Sequence, residues 1–289
     1  MPELPEVEVA ARNLRRWGVG RRVSGTTADP RAARIFRPAT ARALARLRGA
    51  RLDEVRRIGK NLLLTFEPPG KRGAAPLGVW SHLGMTGKWV LRRAGDPAPA
   101  SRRLSLALDD GRRLDYVDMR MFGRFRLVPG ARFEDVPDLA ALGPDPLNDG
   151  VDPRRLGERL ARVALPIKVA LLDQTVLAGV GNIQASESLF RAKIDPRRPA
   201  RSLSPAELKR LAKGVRDSIA FTLKSFAKTG ADGRDQDIAY VEEDAPNPFL
   251  VYGRAGEPCP GHKRAKSSGT IVRIVQAQRA TFYCPDCQK

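Results

Sequence analysis

The feature that most limits how this chain can fold lies near its C-terminal end. Cys259-Pro260-Gly261-His262 and Cys284-Pro285-Asp286-Cys287 form two tight knuckles on either side of residues 263–283, and they hold every cysteine and one of the two histidines. Two residues between donors let one knuckle turn both onto a single tetrahedral ion, and three thiolates with one imidazole are an established structural zinc set. Between the knuckles, Ile271 to Tyr283 alternates as a hairpin. A ribbon this small buries too little core to fold alone, so the metal is expected to be part of the fold. One structural Zn2+ held by Cys259, His262, Cys284 and Cys287 is therefore expected, with no open position for catalysis. The competing reading, three free cysteines, leaves the paired spacing unexplained, and a disulfide framework is excluded.

The opposite end carries Met1-Pro2-Glu3-Leu4-Pro5-Glu6. Removal of Met1 would leave Pro2 with a free secondary amine titrating near pH 8, nucleophilic enough to form an iminium with a sugar carbon. Glu3 beside it can shuttle protons. Equally, Pro2 can merely pre-set φ before a helix. Pro5 to Trp17 reads as that helix, with Val7, Ala11 and Leu14 on one face and Gly18 and Gly20 ending it.

From there to about Pro129 the pattern is β. Leu62–Phe66 and Leu77–Trp80 are short apolar runs, and Leu104, Leu106 and Leu108 alternate up to an Asp109-Asp110-Gly111 turn that Leu114 and Tyr116 follow. Such strands suggest a sandwich or barrel. Pro, Gly and Asp crowd the stretch from Gly143 to Pro153, which reads as a linker. Helical period follows: Ser204-Pro205-Ala206-Glu207 has capping-box form, and Leu208, Leu211, Val215, Ile219, Leu223 and Phe226 share a face. The expected organisation is α+β and multidomain: 1–130, a helix plus β-sandwich; 131–150, a linker; 151–254, a helical domain; and 255–289, the ribbon. Residues 229–248 form a long acidic loop, functional or disordered.

The sequence has 52 Lys plus Arg against 32 acids, a formal charge of +20 spread along its length. A polyanion partner, most often nucleic acid, follows; an Arg-rich composition from a GC-rich genome is the plainer account. No apolar run reaches membrane-span length and no signal peptide is apparent, so a cytoplasmic, nucleoid-associated location and no membrane partner are expected. Three further motifs fit DNA. Gly179-Val180-Gly181-Asn182 opens a helix as a phosphate turn would, with Asn182 capping it and Lys168 upstream. Ser81–Gly87 and Asp118–Gly123 are glycine-flanked loops carrying His82, Met85, Arg120 and Phe122. Met85 and Phe122 are more often core residues and His82 a satisfied core histidine. Facing DNA, however, the apolar side chains can fill the space of an extruded base while Arg120 meets its widowed partner.

Together with Gly59-Lys60, Leu142–Leu147, Ala185–Phe190, Val251–Arg254 and Gln278–Cys284, these motifs resemble the bacterial formamidopyrimidine-DNA glycosylase family nearly end to end. The resemblance implies an N-terminal helix plus β-sandwich, a helix–two-turn–helix domain and a zinc ribbon, with damaged double-stranded DNA as partner of a monomer. It implies a bifunctional glycosylase and abasic-site lyase of base excision repair that removes oxidised purines (8-oxoguanine, formamidopyrimidines) by β,δ-elimination. Pro2 is then the nucleophile, Glu3 the acid/base, Lys60 and Arg279 proton donors in elimination, Met85, Arg120 and Phe122 the void-filling trio, and Lys168, Asn182 and Arg279 phosphate contacts. His82 belongs to the DNA-facing set. Arg103 takes the place of a DNA-contacting His. Departures from the pattern are His262 for Cys, Met121 for Arg, Gln184 for Tyr, and Thr229-Gly230-Ala231-Asp232 at the start of the lesion-capping loop 229–248. The altered loop leaves open an endonuclease VIII-like specificity; a catalytically idle lesion-binding protein is the other alternative, and the intact Pro2-Glu3 pair with Lys60 argues against it.

Overall fold

The computed structural model describes residues 1–36, 44–70, 73–228, 247–262 and 269–289. The expected lesion-capping loop therefore lies outside the described residues, apart from Asn247 and Pro248. The chain divides into two units, one made chiefly of Met1–Ala141 and the other beginning at Leu142.

In the first unit, helix α1 (Leu4–Gly18) is followed by eight strands. These are β1 (Val23–Ala28), β2 (Arg51–Ile58), β3 (Asn61–Glu67), β4 (Leu77–His82), β5 (Lys88–Arg92), β6 (Arg102–Leu108), β7 (Arg113–Val117) and β8 (Arg124–Pro129). They form two antiparallel sheets, ordered β1-β6-β7-β5 and β2-β3-β4-β8. The expected hairpin is present: Leu106 pairs with Leu114 across the Asp109–Gly111 turn. The sheets meet through aromatic side chains, with Phe125 of β8 4.7 Å from Tyr116 and 5.9 Å from Trp89 between ring centroids. Edge-to-face packing of this kind supports a sandwich core beyond simple area burial. Helix α1 lies against β2, β3 and β5, and its apolar stripe of Leu4, Val7, Ala11 and Leu14 is fully buried.

The segment 131–150, expected as a linker, is structured. Phe133, Val136 and Leu139 are buried. The Asp145 carboxylate accepts the N–H groups of Leu147 and Asn148 at 2.9 and 3.1 Å. Pro and Gly content signalled turns correctly there, but the buried apolar residues between them make the turns part of the packed units.

The second unit contains α2 (Pro153–Leu160), α3 (Asn182–Ala192) and α4 (Pro205–Lys228), then the hairpin β9 (Val272–Gln276) and β10 (Arg279–Tyr283). The capping box at Ser204 is present, with Glu207 Oε2 accepting the Ser204 N–H at 2.8 Å. Leu211, Val215, Ile219 and Phe226 are buried as their spacing predicts. Gln184, one of the departures, is buried between helices. Its amide donates to Thr222 Oγ1 at 3.0 Å and accepts from the Ser218 hydroxyl at 2.7 Å, tying α3 to α4.

Candidate active site, wedge loops and metal centre

Pro2 and Glu3 are buried at the start of α1, whereas Met1 is exposed. Glu3 is the N-cap, and a capping box joins it to Glu6, whose Oε2 accepts the Glu3 N–H at 2.9 Å. Burial, reinforced by the neighbouring Glu3 carboxylate, pushes the Glu6 carboxyl up to about 7. A carboxylate in a dry setting beside a second carboxylate resists ionisation, which is why the Glu6 proton is held more tightly.

The same helix fixes the turn that carries Lys60. Glu8, just over one turn beyond Glu3, meets Arg57 Nε at 2.8 Å, and the Arg57 side chain is wholly buried. Arg57 in turn donates to the Gly59 carbonyl at 3.0 Å. Asn61 closes the turn, donating to the Ile58 carbonyl and accepting from Trp80 Nε1. Nothing in the sequence pattern singled out Glu8 or Arg57; a charged pair forty-nine residues apart becomes visible only once the strands are placed.

His82 ends β4. Burial, with Lys60 and Arg124 nearby, pushes its imidazole down to about 4, so the ring is neutral at pH 7. Its Nδ1 accepts the Gly84 N–H at 3.1 Å, which bends the following loop. Gly84 adopts φ +67°, and a Cβ there would lie 2.4 Å from the Phe122 carbonyl carbon. Only glycine allows both the left-handed turn and this close approach. The two loops thus run backbone against backbone, and Met85 and Phe122 stand at their tips, 39% and 47% exposed. Both are outward apolar side chains and not core. Arg120, also exposed, lies over the Phe122 ring at 5.0 Å.

Arg103, expected at a DNA contact, is held by the protein itself through two of its nitrogens. It is buried, donating Nε to the Asp118 carbonyl at 2.9 Å and Nη1 to Asp29 at 2.7 Å. A guanidinium so engaged anchors the Asp118–Gly123 loop. Arg34, which no motif marked, grips the same loop from outside. Its Nε donates to the Met121 carbonyl at 2.9 Å and its guanidinium lies 5.6 Å from the Phe122 centroid.

In the second unit Asn182 is the first residue of α3, and Gly181 is its N-cap; the expected side-chain cap is absent. The Asn182 amide instead donates to the Ala280 carbonyl at 2.8 Å, joining the helix start to the ribbon. Lys168 sits fully buried on a single helical turn, Ile167–Ala170. Arg279 is exposed at the hairpin tip, beside a turn in which Ala277 and Gln278 both have positive φ. That is the geometry of a type I′ turn, which matches strand twist but strains non-glycine residues.

The knuckles converge. The donor atoms of Cys259, His262, Cys284 and Cys287 all lie within 4.8 Å of one another. Around a tetrahedral zinc, neighbouring sulfurs fall about 3.8 Å apart and sulfur to nitrogen about 3.5 Å; the Cys259–Cys287 and Cys284–His262 separations are 3.7 and 3.6 Å. A Cβ on Gly269 would lie 2.5 Å from His262 Nε2, so the chain passes too close for any side chain. The donor set fits one zinc ion. Burial pushes the Cys259 thiol up to about 12, so zinc must expel protons as it binds. The ribbon core of Val251, Cys259, Ile271, Phe282 and Cys284 is completed by Phe190 from α3. Glu187, one turn earlier, accepts the N–H groups of Leu250, Val251 and Tyr252 at 2.8–3.1 Å.

A sandwich with a buried N-terminal Pro-Glu, a helical unit and a zinc-binding ribbon together define a class, and the comparisons name it. Residues 1–125 match the formamidopyrimidine-DNA glycosylase N-terminal domain, 142–232 its H2TH domain, and 268–289 the zinc finger found in FPG and IleRS. The chain is 42% identical to the formamidopyrimidine-DNA glycosylase of Rhodospirillum centenum, over the whole of both chains. Among solved structures it is similar to Lactococcus lactis Fpg in complex with abasic-site DNA (TM-score 0.83, 27% identity, 99% of each chain). It is also similar to MutM in complex with carbocyclic 8-oxo-G DNA (TM-score 0.82, 28% identity, both chains covered in full). The chain belongs to the formamidopyrimidine-DNA glycosylase family of enzymes. Among the described residues no helix is long and apolar enough to cross a membrane.

Proposed function

We propose that this enzyme binds damaged duplex DNA, removes oxidised purines and cleaves the resulting abasic strand, with Pro2 as nucleophile once Met1 is removed. The observation that carries the reading is the burial of Pro2 and Glu3 at the start of a helix whose Glu8 also fixes the Lys60 turn. The deprotonated Pro2 nitrogen bonds to C1′ as the glycosidic bond breaks. The purine leaves with the electron pair and takes up a proton. The C1′–O4′ bond then breaks, O4′ takes a proton and the nitrogen lone pair forms the iminium; this acidifies the C2′ hydrogen, whose loss expels the 3′ phosphate, and a second elimination expels the 5′ phosphate. Glu3 moves protons at these steps, and Lys60 and Arg279 donate to the departing phosphates.

Met85, Arg120 and Phe122 act as the wedge that fills the vacated stack, a role suited to apolar side chains held outward on rigid loops. His82, neutral at pH 7, shapes the Met85 loop beside the DNA. Lys168, on the Ile167–Ala170 turn, and Asn182, at the start of α3, contribute to phosphate binding. The zinc holds the ribbon carrying Arg279 and takes no part in the chemistry.

Borohydride reduction with abasic-site or 8-oxoguanine duplex should trap one covalent protein–DNA adduct, lost in Pro2→Gly and in N-terminally blocked protein. An undiminished adduct in either would sink the Pro2 assignment. A panel of single-lesion duplexes fixes the lesion preference.

A further inference from the structure

At the level of Met85 and Arg120 the two wedge loops are bridged by the Thr86 hydroxyl; at their base the Tyr116 hydroxyl also spans them, 3.3 Å from the Leu83 carbonyl and 3.4 Å from Asp118 Oδ2. Asp118, fully buried at the end of β7, accepts the Thr86 hydroxyl proton on Oδ1 at 2.6 Å and the Gly123 N–H on Oδ2 at 2.8 Å. Because Thr86 gives its only side-chain proton to that carboxylate, its oxygen is free to accept, and the Arg120 N–H donates to it at 3.1 Å. Thr86 thus stands between Met85, its chain neighbour, and the backbone of Arg120 on the other loop. A hydrogen bond to a buried carboxylate is among the stronger kinds.

The close approach of the Gly84 and Phe122 backbones packs the loops together without a hydrogen bond between Met85 and Arg120, and the side chains that grip the Arg120–Phe122 loop come from elsewhere. Arg34 holds the Met121 carbonyl, and Arg103 holds the Asp118 carbonyl. Neither reaches the Met85 loop. We propose that the Thr86 hydroxyl is the positioning group that makes Met85 and Arg120 enter the duplex as one rigid wedge. This rests on the wedge reading above. Thr86 itself is exposed, so its removal leaves the core packing of the sandwich in place. Extruding a paired base requires the vacated space to be filled as it opens, and a wedge whose halves move separately fills it less often. An abasic nucleotide has no base to extrude and makes less demand on that coupling.

The test compares wild type, Thr86→Val, Thr86→Ser, Met85→Ala and the Met85→Ala/Thr86→Val double variant. The readouts are single-turnover release of 8-oxoguanine from paired duplex and borohydride capture of a preformed abasic site. Thr86→Val should slow base release about tenfold, the scale of one hydrogen bond to a charged group. That loss should exceed its loss on the abasic site by roughly fivefold or more, since only the paired lesion carries the unstacking cost. Thr86→Ser should restore release, and the double variant should fall no further than Met85→Ala alone, the signature of coupled residues. Equal losses on the two substrates, no rescue by serine, or full additivity would overturn the inference. A wild-type enzyme that releases no base and captures no abasic site would remove the wedge reading itself, and this inference with it.

Discussion

Helix α1 and the zinc knuckles each hold ionisable groups in a buried cluster, and they do so by different means. At α1 the cluster is carboxylate: Glu3 at the N-cap and Glu6 in the first turn are both buried. It is held by secondary structure already stable on its own terms, with a 15-residue helix lying on a sandwich. At the ribbon the cluster is thiol and imidazole, and two five-residue strands supply little hydrophobic support. The helix can therefore tolerate like charges side by side, at the cost of holding a proton on Glu6, whereas the ribbon needs a cation to bring its ligands together. Rigidity at the N-terminal site comes from packing, and at the C-terminal site from coordination.

That contrast can be broken most severely at the metal. Chelation, or Cys284→Ser, should abolish the order of the ribbon, because structural zinc supplies on the order of 10 kcal/mol or more of apparent binding free energy. Elemental analysis should give one zinc per chain in wild type, and less in His262→Ala; full retention in that variant would remove His262 from the ligand set. Hydrogen exchange at β9–β10 should rise on chelation while the sandwich strands stay protected. If α1 and the sandwich loosen equally, the two sites are not independent in the way described.

A smaller effect is expected at the Glu8–Arg57 pair. Removing one partner of a buried ion pair costs roughly 3–5 kcal/mol where the other is left uncompensated; Glu8 keeps Arg12 at 2.9 Å and Arg15 at 3.7 Å, so the low end of that range is expected. Arg57→Ala should lose that much in urea unfolding and should also slow strand cleavage by freeing the Lys60 turn. An unchanged midpoint would show that the pair contributes no net stability.

The smallest expected effect belongs to Glu6, and it has a definite pH sign. Its carboxyl sits near 7 in the folded chain against an ordinary value of 4.5. Below about pH 4.5 both states hold the proton and no penalty arises. As pH rises towards 7 the unfolded chain releases its proton first, so the folded state is progressively penalised, and above 7 the penalty is complete. From that shift it amounts to roughly 3 kcal/mol at most. Glu6→Gln keeps an acceptor for the Glu3 N–H, and should therefore be more stable than wild type at pH 8 and indistinguishable from it at pH 4. Equal stability at both pH values would place the proton elsewhere.

How much of this was legible beforehand differs by site. The zinc set was fully readable, because Cys-x2-His and Cys-x2-Cys spacing fixes which donors can share an ion whatever the chain does between them. The capping box at Ser204 and the hairpin at Asp109–Gly111 were readable for the same reason: each is settled within a few residues. The acceptors of Arg103 were not legible, because a motif position carries no sign of them, and Asp29 and the Asp118 carbonyl meet it only after β1, β6 and β7 come together. Asn182 looked like a helix cap from its place after glycine, but Gly181 takes that position and the amide is spent on Ala280.

The sequence by itself determined the zinc ligands, the helix starts, the alternation of the strands and the candidate nucleophile at Pro2, since each depends on short spacings and local chemistry. Only the tertiary structure decided that Glu8 and Arg57 fix the Lys60 turn, that Arg34 and Arg103 clamp the Asp118–Gly123 loop, and that Thr86 and Asp118 join it to the Met85 loop. Those contacts link residues distant in sequence, and their energies depend on burial, which no local pattern encodes.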